Sequence, residues 1–188
     1  GPYRIVKAFA PMIVDSKGRI SNISSMAGIF SPPTYGVYSM SKHALESFTD
    51  SLAFEMGTVG VRLSVVEPGP YNSKAVASMC KRRNEQDYDP TGSLFPELAK
   101  ELATLCTGDT DYGFPEPDAV ADAVLHALFS EHPNERYLAV TDQRHAEAVI
   151  RDLLKDLLEV NSNGHSFGLS RDELIMMLDE ELHGPEGD

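Results

Sequence analysis

The sequence predicts an α/β fold built on a parallel sheet, and three observations predict it. Two short β-patterned runs, at about 18–24 and about 61–66, each lead into a loop rich in Ser, Gly or Pro. Between them lies one long amphipathic run at about 36–57, in which Leu45, Phe48, Leu52 and Met56 recur at three- and four-residue steps. Strand, loop, helix and strand in that order, at that length, make a crossover between neighbouring parallel strands.

The elements follow in order. Residues from about 2 to 14 carry apolar side chains at helical spacing that begins at once after Gly1, which reads as a chain joined inside an element. The turn Asp15-Ser16-Lys17-Gly18 feeds the first strand. A loop from Ser25 to Gly36 opens the long helix, with His43, Glu46 and Asp50 away from its apolar stripe and Gly57 and Gly60 ending it. Pro68-Gly69-Pro70 closes the second strand. From Tyr71 to Phe114 periodicity weakens, with one short helix at about 94–105, and the stretch reads as an inserted lid. Pro117-Asp118 starts a helix over about 118–130 on Val120, Val124, Leu125 and Leu128, and Tyr137 to Val140 forms a last strand. Helices near 143–159 and 171–182 end the chain, the second opened by Ser170 with Glu173 three residues on, a capping box. The expected division is a catalytic part at 1–140, with its lid at 71–114, and a helical extension at 141–188.

Composition excludes some partners. A formal net charge of −13 opposes a phosphate backbone and an anionic membrane surface, so no nucleic acid is expected. Seven acidic residues face one arginine between Ser170 and Asp188, as a solvated helix and frayed end would have. Arg4, Lys7 and Arg62 interrupt the most apolar stretches, so no membrane span is expected. Cys80 and Cys106 stand apart with no CxxC, and reduced, structural thiols in a cytoplasmic protein are the expectation. The six histidines show no ligand spacing, and no metal is expected.

Chemistry is carried by Tyr38-Ser39-Met40-Ser41-Lys42, whose four-residue step sets a phenol and an ammonium on one helical face. Alone, the pattern is weak. Thirteen residues earlier, at the end of the first strand, stands Ser25 in Asn22-Ile23-Ser24-Ser25-Met26-Ala27-Gly28, and Pro68-Gly69 ends the second strand. In open parallel sheets the ligand crevice lies outside the carboxyl ends of the strands, where both features fall. Hydride addition to a carbonyl leaves an oxyanion, which needs an adjacent proton donor, and the reverse reaction needs the same group as a base. A free phenol titrates near ~10 and is a poor base at neutral pH. A cation about 4 Å away, at an effective dielectric of about 20, favours the phenolate by roughly 4 kcal/mol at most.

With these residues in these positions, the sequence resembles short-chain dehydrogenases/reductases from Gly1 to about Val140, among them hydroxysteroid and retinol types. The resemblance implies a doubly wound (Rossmann) parallel sheet, of which this chain is the C-terminal half, with an inserted substrate-binding region. It implies Ser25, Tyr38 and Lys42 as the catalytic set, Ser25 and Tyr38 on the substrate, and Lys42 also on the nicotinamide ribose. Pro68, Gly69, Pro70, Tyr71 and Ser73 stand where the family contacts the nicotinamide end of NAD or NADP, with Ser73 in place of a usual Thr and Tyr71 in place of a small aliphatic residue. The spacing to Tyr38 favours Ser25 over Ser24, and Tyr35, with Ser39 rather than Lys four residues on, reads as loop lining or packing.

The family's Gly-rich phosphate turn and its cofactor-choosing residue are not in the sequence, so a choice between NAD and NADP cannot be read and the chain alone is expected to be inactive. The implied reaction is hydride transfer on a hydrophobic alcohol or ketone. The alternatives are an epimerase or dehydratase on the same fold, and a non-catalytic dimerisation or nucleotide-sensing module. The helix at 36–57 is implied as a homo-oligomer contact, with Leu45, Phe48, Leu52 and Met56 available to a partner.

Overall fold

The structure, a computed structural model, describes residues 1–85, 89–104, 106–107, 113–162 and 166–183. Three strands, β1 (Arg19–Ile23), β2 (Arg62–Pro68) and β3 (Arg136–Ala139), form a parallel sheet in the order β1-β2-β3. Arg19 is in register with Arg62 and Ile23 with Val66, while Val65 pairs with Arg136 and Pro68 with Ala139. The central strand is enclosed from Leu63 to Glu67, with Val65 and Val66 at most 1% exposed, as befits a parallel strand covered on both faces.

Helix α1 (Pro2–Asp15) precedes β1, and α2 (Gly36–Gly57) is the crossover between β1 and β2. Met56 is buried with Val61 and Leu63, and Ile13, Val14, Ile20, Leu52 and Ala53 pack around them. Phe48 meets the Tyr3 ring edge-on, with centroids 6.1 Å apart. Leu52 and Met56 in this cluster, and Phe48 on Tyr3, are thus packed within their own chain. A polar tie adds to this packing: Asn22 Nδ2 donates to Thr49 Oγ1 at 2.9 Å, joining β1 to α2 inside the protein.

The inserted region is more helical than its periodicity predicts. Helix α3 (Lys74–Glu85) occupies the stretch expected to be irregular, and α4 (Pro96–Thr104) follows it. Only Cys80 of α3 is buried, so the helix offers little apolar stripe to read. Cys80 is joined to Cys106 by a disulfide, which corrects the expectation of two reduced thiols and removes the cysteine argument for a reducing compartment. Parts of the expected lid, residues 86–88, 105 and 108–112, lie outside the described residues.

Helix α5 (Asp118–Phe129) leads into β3, and α6 (Gln143–Ser162) and α7 (Arg171–His183) follow. The chain divides into two compact units, Gly1–Val149 and Ile150–Asp188. Within the second, Ser170 Oγ accepts from the Glu173 amide at 3.3 Å while Glu173 Oε2 accepts from the Ser170 amide at 2.7 Å, the reciprocal pair of a capping box. The acidic tail beyond His183 and His165 lie outside the described residues. Among the described residues no helix is long and apolar enough to cross a membrane, and no group of three or more His, Cys, Asp or Glu is arranged to hold a metal ion.

Candidate active site

The carboxyl end of β1 runs into Ser24 and Ser25, both buried, and then into a single 3-10 turn at Met26–Gly28. Ser25 is extended and caps that turn, its Oγ accepting from the Ala27 amide at 3.1 Å. The same hydroxyl donates to the Pro68 carbonyl at 3.4 Å, so the ends of β1 and β2 meet at Ser25. Tyr38 lies in the first turn of α2 and Lys42 one turn later. Lys42 Nζ donates to the Ile23 carbonyl at 3.0 Å and stands 5.7 Å from the centre of the Tyr38 ring. A cation held by the last carbonyl of β1 thus sits over the phenol, a contact worth about 0.5–1 kcal/mol where exposed. Burial pulls the Lys42 ammonium below the ordinary lysine value, and Glu46, one turn further on, opposes that shift.

The remaining expected residues separate into two groups. Pro68 and Gly69 stand at the site: the Gly69 amide donates to the Ala139 carbonyl at 2.8 Å, and a Cβ at position 69 would lie 3.3 Å from Val140 Cα, so glycine lets the ends of β2 and β3 close together. Pro70 is partly buried beside them, whereas Tyr71 is buried, and burial pushes its phenol up. The Ser73 hydroxyl is engaged at the start of α3, accepting from the Ala75 amide at 3.3 Å. Ser25, Tyr38 and Lys42 thus converge at the carboxyl ends of the strands with Pro68, while Tyr71 and Ser73 belong to the passage into the lid. Tyr38 is 44% exposed, open to a ligand, and Tyr35 meets it edge-on at 6.2 Å.

Sequence reasoning missed what lies behind this set. Arg136, first residue of β3, binds three carboxylates: Nη1 reaches Glu67 Oε1 at 2.6 Å and Glu46 Oε2 at 2.8 Å, and Nη2 reaches Asp50 Oδ1 at 2.6 Å. The Glu46 side chain is 9% exposed and that of Glu67 2%, whereas helical position alone assigns Glu46 to the solvated side of α2. The Glu67 carboxyl is pushed up to about 7, first by burial and then by the charge of Glu46, against the pull of Arg136. The one signal for it in the sequence is an acid placed inside an apolar strand, Val65-Val66-Glu67-Pro68.

A model of the short chain dehydrogenase family matches residues 1–84. The mitochondrial D-beta-hydroxybutyrate dehydrogenase of Rattus norvegicus is 34% identical over 152 residues, covering 73% of this chain and 42% of that one. The chain belongs to the short-chain dehydrogenase family. The Escherichia coli K12 oxidoreductase YbbO is 31% identical over 155 residues, covering 82% of this chain and 51% of its own. Among solved structures, a short-chain dehydrogenase from Streptomyces avermitilis superposes with a TM-score of 0.61 at 21% identity, over 86% of this chain and 55% of that one. This short-chain dehydrogenase chain spans about half the length of the curated relatives it matches. The family match ends within α3, so it includes α1, β1, α2 and β2 and hence Ser25, Tyr38, Lys42 and Pro68.

Proposed function

We propose that the whole protein transfers hydride between NAD(H) or NADP(H) and a hydrophobic alcohol or ketone, with Ser25, Tyr38 and Lys42 at the reacting end. The observation that carries this reading is the position of Lys42 Nζ, 3.0 Å from the Ile23 carbonyl and 5.7 Å from the Tyr38 ring, beside the Ser25 that joins the ends of β1 and β2. Exposed Tyr38, partly exposed Lys42 and the Pro68-Gly69-Pro70 exit from β2 fit the nicotinamide end of such a cofactor. Lys42 and Tyr38 would hold its ribose, and Pro68, Gly69, Pro70, Tyr71 and Ser73 its nicotinamide side. When bound, the cofactor supplies or takes up the hydride.

The proton is the work of the chain itself. Tyr38 Oη gives its proton to the carbonyl oxygen as the alcohol forms, and takes a proton from the alcohol in the reverse direction. The Ser25 hydroxyl, turned away from the Pro68 carbonyl, donates a hydrogen bond to the same oxygen and holds it against Tyr38. The Lys42 ammonium stabilises the phenolate left behind. A cavity of about 710 Å³ lies between the loop before α2 and helices α3 and α4, with Thr34, Met79, Phe95, Leu98 and Leu102 among its walls. Arg82, Arg83 and Ser93 share these walls, and the volume and the mostly apolar remainder suit a hydrophobic substrate with a polar end. Any contact between subunits through α2 would use Val37, Met40 and Phe54, each more than 60% exposed, rather than the enclosed stripe.

The test is an absorbance assay of the whole protein with reduced and oxidised nicotinamide cofactors and a panel of apolar ketones and alcohols. Consumption of cofactor in step with product is expected. Conversion of substrate with the cofactor unchanged overturns the proposal in favour of an epimerase or dehydratase. Association of subunits or cofactor binding without any conversion overturns it in favour of a binding module.

A further inference from the structure

The carboxylates behind the site outnumber the cations that hold them. Glu46 and Asp50 from α2 and Glu67 from β2 share one guanidinium, that of Arg136. Asp50 is largely exposed and water can carry its charge, but Glu46 and Glu67 are enclosed side by side. Two enclosed carboxyl groups against one cation do not both ionise easily, because each charge opposes the other in a site that excludes water. Glu46 Oε1 is enclosed without a hydrogen-bond partner, and so is Ser24 Oγ. These two atoms flank Gly28, each under 3 Å from where a Cβ would stand. A bare carboxylate oxygen in that setting is costly, and a proton in the pair removes much of the cost. Both carboxyls reach the same Arg136 nitrogen, so charge on either raises the cost of charge on the other.

The pair lies close to a residue placed at the reacting end. Glu46 is four residues after Lys42 on α2 and acts on its ammonium through charge. We propose that Glu46 and Glu67 hold one proton between them beneath the start of α2, and that Glu46 is a positioning residue through which that proton sets the charge felt by Lys42. The proposal rests on the role given to Lys42 above. With the proton present, the cluster of three carboxyls and Arg136 carries one negative charge, and without it two. Among the described residues, the charged groups tied to the pair are Arg136 from β3, which binds both, and from α2 Asp50, which shares that guanidinium, and Lys42, on which Glu46 acts through charge. Around Gly28, Glu46 Oε1 has Ser24 Oγ as its neighbour, and neither Ser24 nor Gly28 titrates.

The experiment reads Lys42 itself and needs no turnover, so its failure is distinct from failure of the hydride-transfer assay. The chain is labelled with 13C in lysine and glutamate side chains, and the Lys42 Cε and glutamate carboxyl signals are followed by NMR from pH 5 to pH 11. Wild type should show a small Lys42 inflection near neutral pH, coincident with titration of one enclosed carboxyl, followed by the lysine's own titration. In Glu67→Gln, an isosteric mimic of the protonated form, the small inflection should vanish while the amide spectrum stays folded. In Glu46→Gln it should vanish and the Lys42 midpoint should fall by about one pH unit. An independent check is infrared absorption of the labelled carboxyls at pH 6.5, where a protonated-acid band should appear in wild type and be missing from Glu67→Gln. A Lys42 signal that is flat through neutral pH in wild type overturns the proposal, as does survival of the inflection or of the acid band in Glu67→Gln.

Discussion

Arg136 Nη1 lies 2.6 Å from Glu67 Oε1, joining residues 69 positions apart in the chain across adjacent strands. The same nitrogen reaches Glu46 on α2, so one guanidinium ties the helix carrying Tyr38 and Lys42 to the strand that ends in Pro68. Replacing Arg136 by Met strands two enclosed carboxyls. Loss of one partner of a buried pair costs about 3–5 kcal/mol, and the lower end applies because the Arg136 side chain is 44% exposed. The stranded acids relieve themselves by taking up protons, so denaturant unfolding should show the loss shrinking as pH falls toward 5.

Glu67 gives the folded protein a stability that depends on pH. Its carboxyl is pushed from 4.5 to about 7, so across that window the folded chain holds a proton that the unfolded chain has released. The contribution is therefore fully present below the unfolded value and is lost as pH rises through the folded one, by about 3 kcal/mol in all. Denaturant midpoints between pH 4.5 and pH 8 should show this decline in wild type and a flatter profile in Glu67→Gln.

Two glycines test close packing in opposite directions. A Cβ at position 28 would lie 2.7 Å from Ser24 Oγ and 2.8 Å from Glu46 Oε1, so Gly28→Ala should destabilise by about 1–3 kcal/mol. Nothing lies within 4 Å of a Cβ at Gly57, in the last turn of α2, where alanine is the better helix former. Gly57→Ala should stabilise by about 0.5–1 kcal/mol, and thermal melts of the two variants should move apart.

The Cys80–Cys106 disulfide closes a loop with a sequence separation of 26, which favours the folded chain by roughly 3 kcal/mol in the chain-entropy account. Reduction, or Cys80→Ser, should speed proteolysis within residues 71–107. The sheet at β1, β2 and β3 should keep its amide-exchange protection, since its packing does not depend on the lid.

What the sequence revealed was local, and what it hid was distant. The bounds of α2 follow from its apolar spacing and its glycines, and those are properties of neighbours in the chain. Ser25, Tyr38 and Lys42 stand at intervals that a crossover must bring to one end of a sheet. Strand β2 runs on through Glu67 and Pro68, past the apolar run at about 61–66, and Glu67 stays inside with Arg136 as its partner. Helix α3 escaped notice because its residues are mostly polar and Cys80 alone is buried. The partner of Cys80, and the role of Arg136, depend on which elements the fold sets side by side, and no interval in the sequence records that.

The most direct test of the Tyr38 assignment is the Tyr38→Phe variant of the whole protein, measured by single-turnover hydride transfer with cofactor binding followed in parallel. Loss of at least about a hundredfold in the transfer rate, with cofactor still bound, is the result this account predicts. Undiminished transfer by Tyr38→Phe would contradict it.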